Sequence, residues 1–289
     1  MTTLPPFFAS YQDDIGPALE RFVPAAPGSR VVEAMRYTLL APSKRVRAML
    51  VLVAAEVCGA SDRARAMPAA CAIEAIHAAS LMLDDLPSMD NAPLRRGRPA
   101  AHVAFGEAIT ILAAFGLLNE AFATLARRYD PALAARLAAL VADAVGLDGL
   151  VAGQAEDVLS TDAAVDFDAL ERIHRRKTGA LFSAAATSGG LTAGGSEADL
   201  AALSAYAKNL GLAFQIVDDM LDVVGEPAET GKATRTDARK TTFVSFSGLD
   251  GARALASELC GTAIAALAPF GARAARLGDL ARFVAARRL

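Results

Sequence analysis

Two long apolar runs in the sequence each end in a pair of adjacent aspartates. The run AASLML leads into Asp84 and Asp85, and the run AFQIV leads into Asp218 and Asp219. Burying a carboxylate without compensation is very costly, so positive charge must meet both pairs. A single pair of aspartates is commonly a solvated helix end. Two pairs, each after an apolar run, favour a binding site for cations. The chain must therefore fold so that the aspartates at the end of each apolar segment lie close to positive charge.

The spacing within each acidic group predicts the arrangement of its carboxylates. Asp218 and Asp222 are four residues apart, so a helix places them on one face, one turn from each other. Asp84 and Asp90 are six residues apart, and Pro87 between them cannot continue a straight helix. We therefore expect the helix to end near this proline and a turn to bring Asp90 back beside Asp84. Magnesium prefers carboxylate oxygens together with phosphate and water, so both groups are candidate metal sites.

Basic residues bracket both acidic groups. Arginine binds phosphate bidentately, and lysine binds it as a point charge. A solvated charged face is the more common explanation for any one of these groups, but together they favour two anion sites. The candidates are Lys44, Arg45, Arg47, Arg95, Arg96, Lys177 with Thr178, Lys232 and Lys240.

A few polar side chains interrupt otherwise apolar helices. His77 lies seven residues before Asp84, two turns along and on roughly the same face. A lone histidine there is more often a core residue than a ligand. Gln154, Asp157 and Gln215 each need a hydrogen-bond partner if they are buried.

Composition predicts an all-α fold. Hydrophobic residues make up 54% of the chain, Ala and Leu dominate, and TTFVSF is the one strand-like run. Asp130 before Pro131 predicts a helix start, and Ser196 with Asp199 resembles a capping box. The run GEAITILAAFGLLNEAFATLARR should form a helix that is buried on most sides. No linker interrupts the pattern, so we expect residues 1–289 to form a single domain of about ten helices.

Charge and cysteine content narrow the function classes. A net charge of -3 implies no general attraction to nucleic acid or to anionic membranes. Cys58, Cys71 and Cys260 lie among apolar or small residues without metal-ligand spacing, which predicts reduced thiols in the cytoplasm. The oily runs contain charges and the first residues show no leader pattern, so we expect a soluble protein with no membrane span.

A series of motifs, taken in order, resembles the trans-isoprenyl diphosphate synthases, the polyprenyl synthetase family. The motifs are SKRVR, IHAASLMLDDLPSMDNAPLRRGRPAAH, FGEA, GLVAGQAED, KTGALF, FQIVDDMLD and GKATRTDARKTT. The first acidic motif has the form D-D-x-x-x-x-D, and the second has the form D-D-x-x-D. The chain departs from the pattern at Pro42 and Ser43, where the family usually has two glycines. The resemblance implies the isoprenoid synthase fold, an all-α helical bundle around a deep central cavity, usually as a homodimer.

The resemblance also implies roles at the matching positions. The metal ligands, holding three Mg2+ ions on an allylic diphosphate, would be Asp84, Asp90, Asp218 and, as a further ligand, Asp222. The catalytic set would be Asp84, Asp85, Asp90, Lys177, Thr178, Asp218 and Asp219. Contacts to the same diphosphate would come from Arg95, Lys177, Thr178, Gln215 and Lys232, and isopentenyl diphosphate would be bound by Lys44, Arg47, His77 and Arg96. Gln154 is a further substrate-binding candidate.

The implied activity is the head-to-tail trans condensation of isopentenyl diphosphate with dimethylallyl, geranyl or farnesyl diphosphate. Ala79 and Ser80 are small residues where farnesyl-producing relatives carry an aromatic plug, and Phe115 would form a floor lower in the pocket. With its six-residue spacing, the first motif is most similar to that of bacterial geranylgeranyl diphosphate synthases, which implies a twenty-carbon product. The alternatives are a farnesyl or longer-chain synthase, or a non-catalytic paralogue subunit. The basic residues Lys44, Arg47 and Arg96 argue against a terpene cyclase.

Overall fold

The computed structural model describes residues 7–161, 163–224 and 240–286, and these ranges are almost entirely helical, as expected. The helices of the first half are α1 (Phe7–Phe22), α2 (Arg30–Leu39), α3 (Val46–Val57), α4 (Met67–Asp84), α5 (Ala101–Phe105) and α6 (Glu107–Arg128). Those of the second half are α7 (Pro131–Val145), α8 (Leu150–Leu159), α9 (Phe167–His174), α10 (Ala180–Thr192), α11 (Glu197–Val224), α12 (Phe243–Ala266) and α13 (Ala275–Ala285). The other elements are a hairpin of β1 (Leu94–Arg95) and β2 (Arg98–Pro99), a π-helical turn (Arg175–Gly179) and a 3₁₀ segment (Ala268–Ala274).

One hydrophobic cluster runs through the described residues from α1 to α13. Within it, α11 packs against α10 and α12, and α4 packs against α3 and α6. The largest fully buried side chains include Tyr11, Tyr206, Phe8 and Phe182. This packing holds the ends of α4 and α11, which carry the two acidic motifs, as fixed parts of the bundle.

The helix-start signals in the sequence have different outcomes. Asp130 caps α7 with its side chain, as predicted. The backbone amide of Ser196 donates to Asp199 Oδ2 over 2.9 Å, and the amide of Asp199 donates to Ser196 Oγ over 3.2 Å, which confirms the capping box. The strand-like interpretation of TTFVSF is wrong, because Thr242 exchanges capping hydrogen bonds with Ser245 and starts α12. The β-branched residues stand at the cap, where an extended conformation is required.

Helix α6 is less buried than expected. One face, with Ala113, Leu117 and Leu125, packs into the core, but Leu112 and Phe115 are 54% and 63% exposed. The expectation that this helix is buried on most sides is therefore wrong for the single chain. Apolar composition around a helix does not say what covers it, and an exposed apolar face commonly marks an interaction surface.

Helices α6 and α11 are, by length and composition alone, long and apolar enough to cross a membrane. The bent pair of α12 and the segment that follows it would add a third such element if it formed one span. Both α6 and α11 also contribute side chains to the shared hydrophobic cluster. The expectation of a protein without a membrane span stays a prediction.

Candidate active site

The first acidic motif lies at the C-terminal end of α4. Asp84 is the last residue of this helix, and Asp85 is its C-cap. The backbone amide of Asp90 donates to the carbonyl oxygen of Asp84 over 2.9 Å. The helix therefore ends before Pro87 and the next turn returns Asp90 to Asp84, as the spacing predicts. The side-chain amide of Gln154 on α8 donates to Asp84 Oδ1.

The two adjacent aspartates of this motif have different surroundings. Asp85 is 2% exposed, and Arg95 Nε lies 3.0 Å from its Oδ1 and 3.1 Å from its Oδ2. Burial would lower the pKa of Arg95, but the hydrogen-bonded charge of Asp85 holds it above its usual value. This ion pair fastens the β1–β2 hairpin to the end of α4. The carboxylate of Asp84 lies instead beside Gln154 and Lys177.

A third carboxylate, Asp157 on α8, joins the first motif to two lysines. Asp157 Oδ2 accepts hydrogen bonds from Lys177 Nζ over 2.7 Å and from Lys240 Nζ over 2.8 Å. Lys177 Nζ also lies 3.5 Å from Asp84 Oδ1, and Lys240 Nζ lies 2.8 Å from Asp90 Oδ1. Two ammonium groups thus neutralise the motif carboxylates, and Asp157 holds both ammonium groups in place.

The charges of this network shift one another's pKa values. Burial would raise the pKa of Asp157, but Lys177 and Lys240 lower it below its usual value. Burial would lower the pKa of Lys177, but Asp84 and Asp157 raise it. The pKa of Lys240 is raised in the same way, against the effect of burial, by Asp157 and Asp90. The carboxylate of Asp157 and both ammonium groups are therefore charged at neutral pH.

The π-helical turn Arg175–Gly179 positions Lys177 beside α8. Single π-turns within helices are frequent at functional sites. The close approach depends on Gly153, because a Cβ atom added there would lie 2.3 Å from the backbone nitrogen of Lys177. A glycine at this position lets α8 bring Asp157 within hydrogen-bond distance of the lysine.

The second acidic motif lies in the last two turns of α11. Asp219 is 3% exposed, and its Oδ2 accepts a hydrogen bond from the backbone amide of Phe243 over 3.1 Å. Its Oδ1 accepts from Gln215 Nε2 over 3.0 Å, and Thr178 Oγ1 donates to Gln215 Oε1 over 3.1 Å. This chain of hydrogen bonds links the π-turn, α11 and the start of α12. Asp219 is therefore buried and held by hydrogen bonds from Gln215 and Phe243.

The remaining acidic residues are suited to magnesium. Asp218 and Asp222 share one face of α11, and the charge of Asp218 opposes the fall in pKa that burial imposes on Arg47 of α3. Among the described residues, no three carboxylate, imidazole or thiol groups form a ready-made metal site. The carboxylates of the two acidic motifs still fit magnesium, because this ion completes its coordination shell with substrate phosphate and water. The lysine ammonium groups beside Asp84 and Asp90 show that these carboxylates attract cations.

A second group of cations lies at the N-terminal end of α3. Arg47 Nη1 donates to His77 Nε2 over 3.2 Å, and its guanidinium lies 4.6 Å from the ring centre of Phe182. Burial lowers the pKa of Arg47 to about 10, and burial also lowers the pKa of Arg96 to about 10. Burial and the neighbouring arginines hold the pKa of His77 well below its usual value. At neutral pH this cluster therefore combines charged arginines with a neutral imidazole.

The structure places the other predicted site residues less closely together. Lys44 Nζ lies 5.5 Å from the ring centre of Phe283 on α13. Ala79 of α4 lies in the hydrophobic core, and Ser80 Oγ donates to the carbonyl oxygen of His77 over 2.9 Å. Phe115 faces outward from α6. Lys232 lies outside the described residues, and the part of these residues in setting product length or binding substrate stays a prediction.

Two residues near the site, Asp157 and His174, were not assigned to it from the sequence, and Lys240 was singled out only as one of the basic residues that bracket the acidic motifs. Asp157 shares a helix face with Gln154, a spacing that could have marked it. The pairing of Lys240 with Asp157 could not be predicted from the sequence, because the two residues are 83 positions apart. His174 is 8% exposed with its ring 5.4 Å from that of Phe243, and burial lowers its pKa to about 4.

Residues 29–259 match the family model described as polyprenyl synthetase. The chain is 42% identical over 285 residues to geranylgeranyl pyrophosphate synthase 9, chloroplastic, of Arabidopsis thaliana, covering 95% of this chain and 79% of that relative. It is 36% identical to the crystal structure of an FPP/GFPP synthase from Zymomonas mobilis, with a TM-score of 0.85 over 97% of this chain and 98% of the other. A geranyltransferase from Helicobacter pylori, crystallised with magnesium and isoprenyl diphosphate, is 26% identical with a TM-score of 0.83, over 98% and 97% of the two chains.

Proposed function

Because the chain belongs to the polyprenyl synthetase family, we propose that it condenses isopentenyl diphosphate head-to-tail with an allylic diphosphate. The observation that carries this proposal is the pairing of two distinct charged sites. One is the acidic network around Asp84 and Asp90 with its two lysines, and the other is the arginine–histidine cluster around Arg47. A reaction that joins two diphosphate esters needs one anion site for each substrate.

The acidic side would bind the allylic substrate. Its magnesium ions, three in the family pattern, would be held by Asp84, Asp90, Asp218 and Asp222. When bound, magnesium supplies electrophilic stabilisation of the departing diphosphate. Lys177 and Lys240 would turn from the motif carboxylates to the diphosphate oxygens, while Asp157 still holds both of them. Further contacts to that diphosphate would come from Arg95, Thr178, Gln215, Gln154 and Lys232.

The basic side would bind isopentenyl diphosphate. Arg47 and Arg96 stay charged when buried, so they attract a diphosphate strongly in a low-dielectric setting. Neutral His77 receives a hydrogen bond from Arg47 and thereby orients the guanidinium. Lys44, on the loop before α3, would add a point charge to this site.

In the reaction, the allylic carbon–oxygen bond breaks and the diphosphate takes the bonding electrons. The double bond of isopentenyl diphosphate then attacks the allylic cation and forms the new carbon–carbon bond. The attack leaves a second cation on the former isopentenyl unit. A C–H bond next to this cation breaks, its electrons form the new double bond, and the released diphosphate accepts the proton. Fixed positive charge beside the leaving group lowers the barrier, because it is already in place when negative charge develops.

The product proposed is geranylgeranyl diphosphate. Ala79 and Ser80 have small side chains about one turn before the first acidic motif, and an isoprenoid tail would extend along this part of α4 from the metal site. A farnesyl or longer-chain product remains the alternative, and it differs only in the depth of this space. Phe115 does not form the floor of this pocket within one chain, because its side chain faces outward from α6.

We also propose that two copies of the chain pair through α6. The exposed stripe contains Leu112 and Phe115, and Val103 on the neighbouring α5 is 56% exposed. Light scattering of the purified protein should give twice the chain mass. Leu112→Glu should shift it towards the mass of one chain, and a wild-type protein that runs as one chain would exclude the pairing.

The chain would act as a single domain in the cytoplasm. The shared hydrophobic cluster from α1 to α13 supports one domain. Free thiols at Cys58, Cys71 and Cys260 suit a reducing compartment. Because the Arabidopsis thaliana relative is chloroplastic, the compartment needs its own test, by fractionation of cells that express the chain.

The activity is tested with purified protein, magnesium, isopentenyl diphosphate and one allylic primer at a time. Dimethylallyl, geranyl and farnesyl diphosphate serve as primers, and chromatography of the dephosphorylated products gives the chain length. Geranylgeraniol from all three primers is expected. Farnesol as the end product would retain the chemistry and overturn the product assignment. Absence of elongation with every primer would overturn the enzyme assignment and favour a non-catalytic paralogue.

A further inference from the structure

Glu74 on α4 is a buried carboxylate that the proposed reaction does not use. It is 2% exposed and precedes His77 by three residues on the same helix. Arg45 Nη1 donates to Glu74 Oε1 over 3.1 Å, and Glu74 Oε2 has no hydrogen-bond partner among the described residues. A buried carboxylate is costly unless it is paired, so the link to Arg45 is what keeps this charge in the core.

Arg45 connects Glu74 to the loop that precedes α3. Arg45 is the N-cap residue of α3 and has a φ of 53°, a left-handed conformation that a residue with a side chain adopts only when it is held. Its Nη2 donates to the carbonyl oxygen of Ala41 over 2.8 Å, and Arg96 Nη1 lies 3.4 Å from the same oxygen. One carbonyl therefore holds both arginines, and Glu74 holds the first of them.

Glu74 also acts on arginines that it does not touch. Its charge opposes the fall in pKa that burial imposes on Arg47 and on Arg96. The basic cluster has three arginines, Arg45, Arg47 and Arg96, and one carboxylate, that of Glu74. Its net charge is therefore positive, which favours binding of a diphosphate. Glu74 is thus linked to the basic cluster by its hydrogen bond with Arg45 and by its charge, which acts on Arg47 and Arg96.

We infer that Glu74 is a positioning residue for isopentenyl diphosphate: by fixing Arg45 it sets the shape of the loop that carries Lys44 and the place of Arg96. The inference rests on the proposed function, which assigns this cluster to that substrate. A counter-ion that acted by charge alone would weaken anion binding, because it competes for the same arginines. A positioning residue strengthens binding, so the two roles predict opposite effects of removing the charge.

The test measures the binding of isopentenyl diphosphate and of inorganic pyrophosphate by calorimetry, with EDTA present so that no metal-dependent site forms. In Glu74→Gln, we expect the Kd for both ligands to rise at least tenfold. Glu74→Asp, which keeps the charge, should stay within threefold of the wild type. Unchanged or tighter binding in Glu74→Gln overturns the inference. The matched control is Glu197→Gln, which removes an exposed carboxylate that pairs with Arg136 on the surface.

Steady-state kinetics give a readout that a general folding defect would not produce. In Glu74→Gln, the KM for isopentenyl diphosphate should rise at least tenfold, and the KM for the allylic primer should change less than twofold. Equal increases in both KM values overturn the inference. If the wild type elongates no primer, the proposed function fails, and the calorimetry with pyrophosphate still decides whether Glu74 positions an anion site.

Glu74→Gln leaves Arg45 buried without its partner, so a second variant covers the case in which it does not fold. Glu74→Gln with Arg45→Gln removes both charges of the pair and leaves the net charge of the protein unchanged. We expect this double variant to fold and to bind both ligands at least tenfold more weakly than the wild type. Wild-type affinity in the folded double variant overturns the inference.

Discussion

Lys240 Nζ lies 2.8 Å from Asp90 Oδ1, although the two residues are 150 positions apart in the sequence. Lys177 Nζ lies 3.5 Å from Asp84 Oδ1, and Asp157 Oδ2 accepts a hydrogen bond from each of the two lysines. Each ammonium group therefore neutralises one carboxylate of the first acidic motif. Each can leave that carboxylate and still keep its ion pair with Asp157.

Asp157→Asn should raise the magnesium concentration needed for half-maximal activity by about tenfold. Without this carboxylate, both lysines pair fully with Asp84 and Asp90 and compete with the metal, and a hydrogen bond to a charged group is worth about 1.5–3 kcal/mol. Magnesium titrations of the condensation rate measure the shift. Asp148→Asn, which alters a carboxylate with a fully exposed side chain, serves as the control. An unchanged magnesium requirement in Asp157→Asn would contradict the shared counter-ion role.

Asp84 and Asp85 are adjacent but should respond differently to substitution. Asp85→Asn leaves Arg95 buried without a charged partner and should lower the free energy of unfolding by about 3 kcal/mol or more. Asp84→Asn should leave that free energy nearly unchanged but reduce kcat by about a hundredfold or more, because it removes charge that acts on the reacting diphosphate. Urea unfolding and turnover, measured on both variants, separate the two effects. Equal losses of unfolding free energy in Asp84→Asn and Asp85→Asn would contradict a separate structural role for the buried Asp85.

Gly153→Ala should distort the π-turn that carries Lys177. The added Cβ would lie 2.3 Å from the backbone nitrogen of Lys177, so the helix or the turn must move, at a cost of about 1–3 kcal/mol. We expect lower thermal stability together with a higher KM for the allylic primer. Gly261→Ala is the control, because nothing lies within 4 Å of a Cβ added at that exposed helical position. It should be neutral or stabilising by up to about 1 kcal/mol. Wild-type behaviour of Gly153→Ala would refute the need for close approach.

His174 should make the protein less stable as the pH falls from about 6.5 towards 4. Burial lowers its pKa from 6.5 to about 4, so over this range the unfolded chain binds a proton that the folded chain does not. The free energy of unfolding then falls by about 1.4 kcal/mol per pH unit for this one group. Urea unfolding of the wild type and of His174→Gln between pH 5.0 and 6.5 measures the difference in slope. Identical slopes would mean that His174 titrates alike in both states.

Ala79→Tyr should shorten the product to fifteen carbons. The aromatic ring would fill the space beside α4 that a longer tail needs, while the acidic and basic sites stay intact. Chromatography of the products formed from dimethylallyl diphosphate gives the length, and a retained rate with this primer shows that the variant is folded. Geranylgeraniol from an active Ala79→Tyr would place the tail elsewhere.

Several features of the site follow from short stretches of sequence. The end of α4 before Pro87 and the return of Asp90 to Asp84 were predictable, because they depend on residues within one turn. The starts of α7 and α11 were predictable for the same reason. The interpretation of TTFVSF as a strand failed, because the propensity of its residues does not distinguish an extended strand from an extended cap.

The sequence by itself determined the all-helical fold, the family and the positions of the two acidic motifs, since these depend on composition, periodicity and local spacing. Only the tertiary structure decided that Asp85 is buried against Arg95 while Asp84 lies beside Lys177, because burial depends on which helices pack together. It alone joined Asp157 to Lys240, since charges pair across space and not along the chain. The tertiary structure also decided that one face of α6 is exposed. The sequence of an apolar helix does not indicate whether the residues that cover it belong to the same chain.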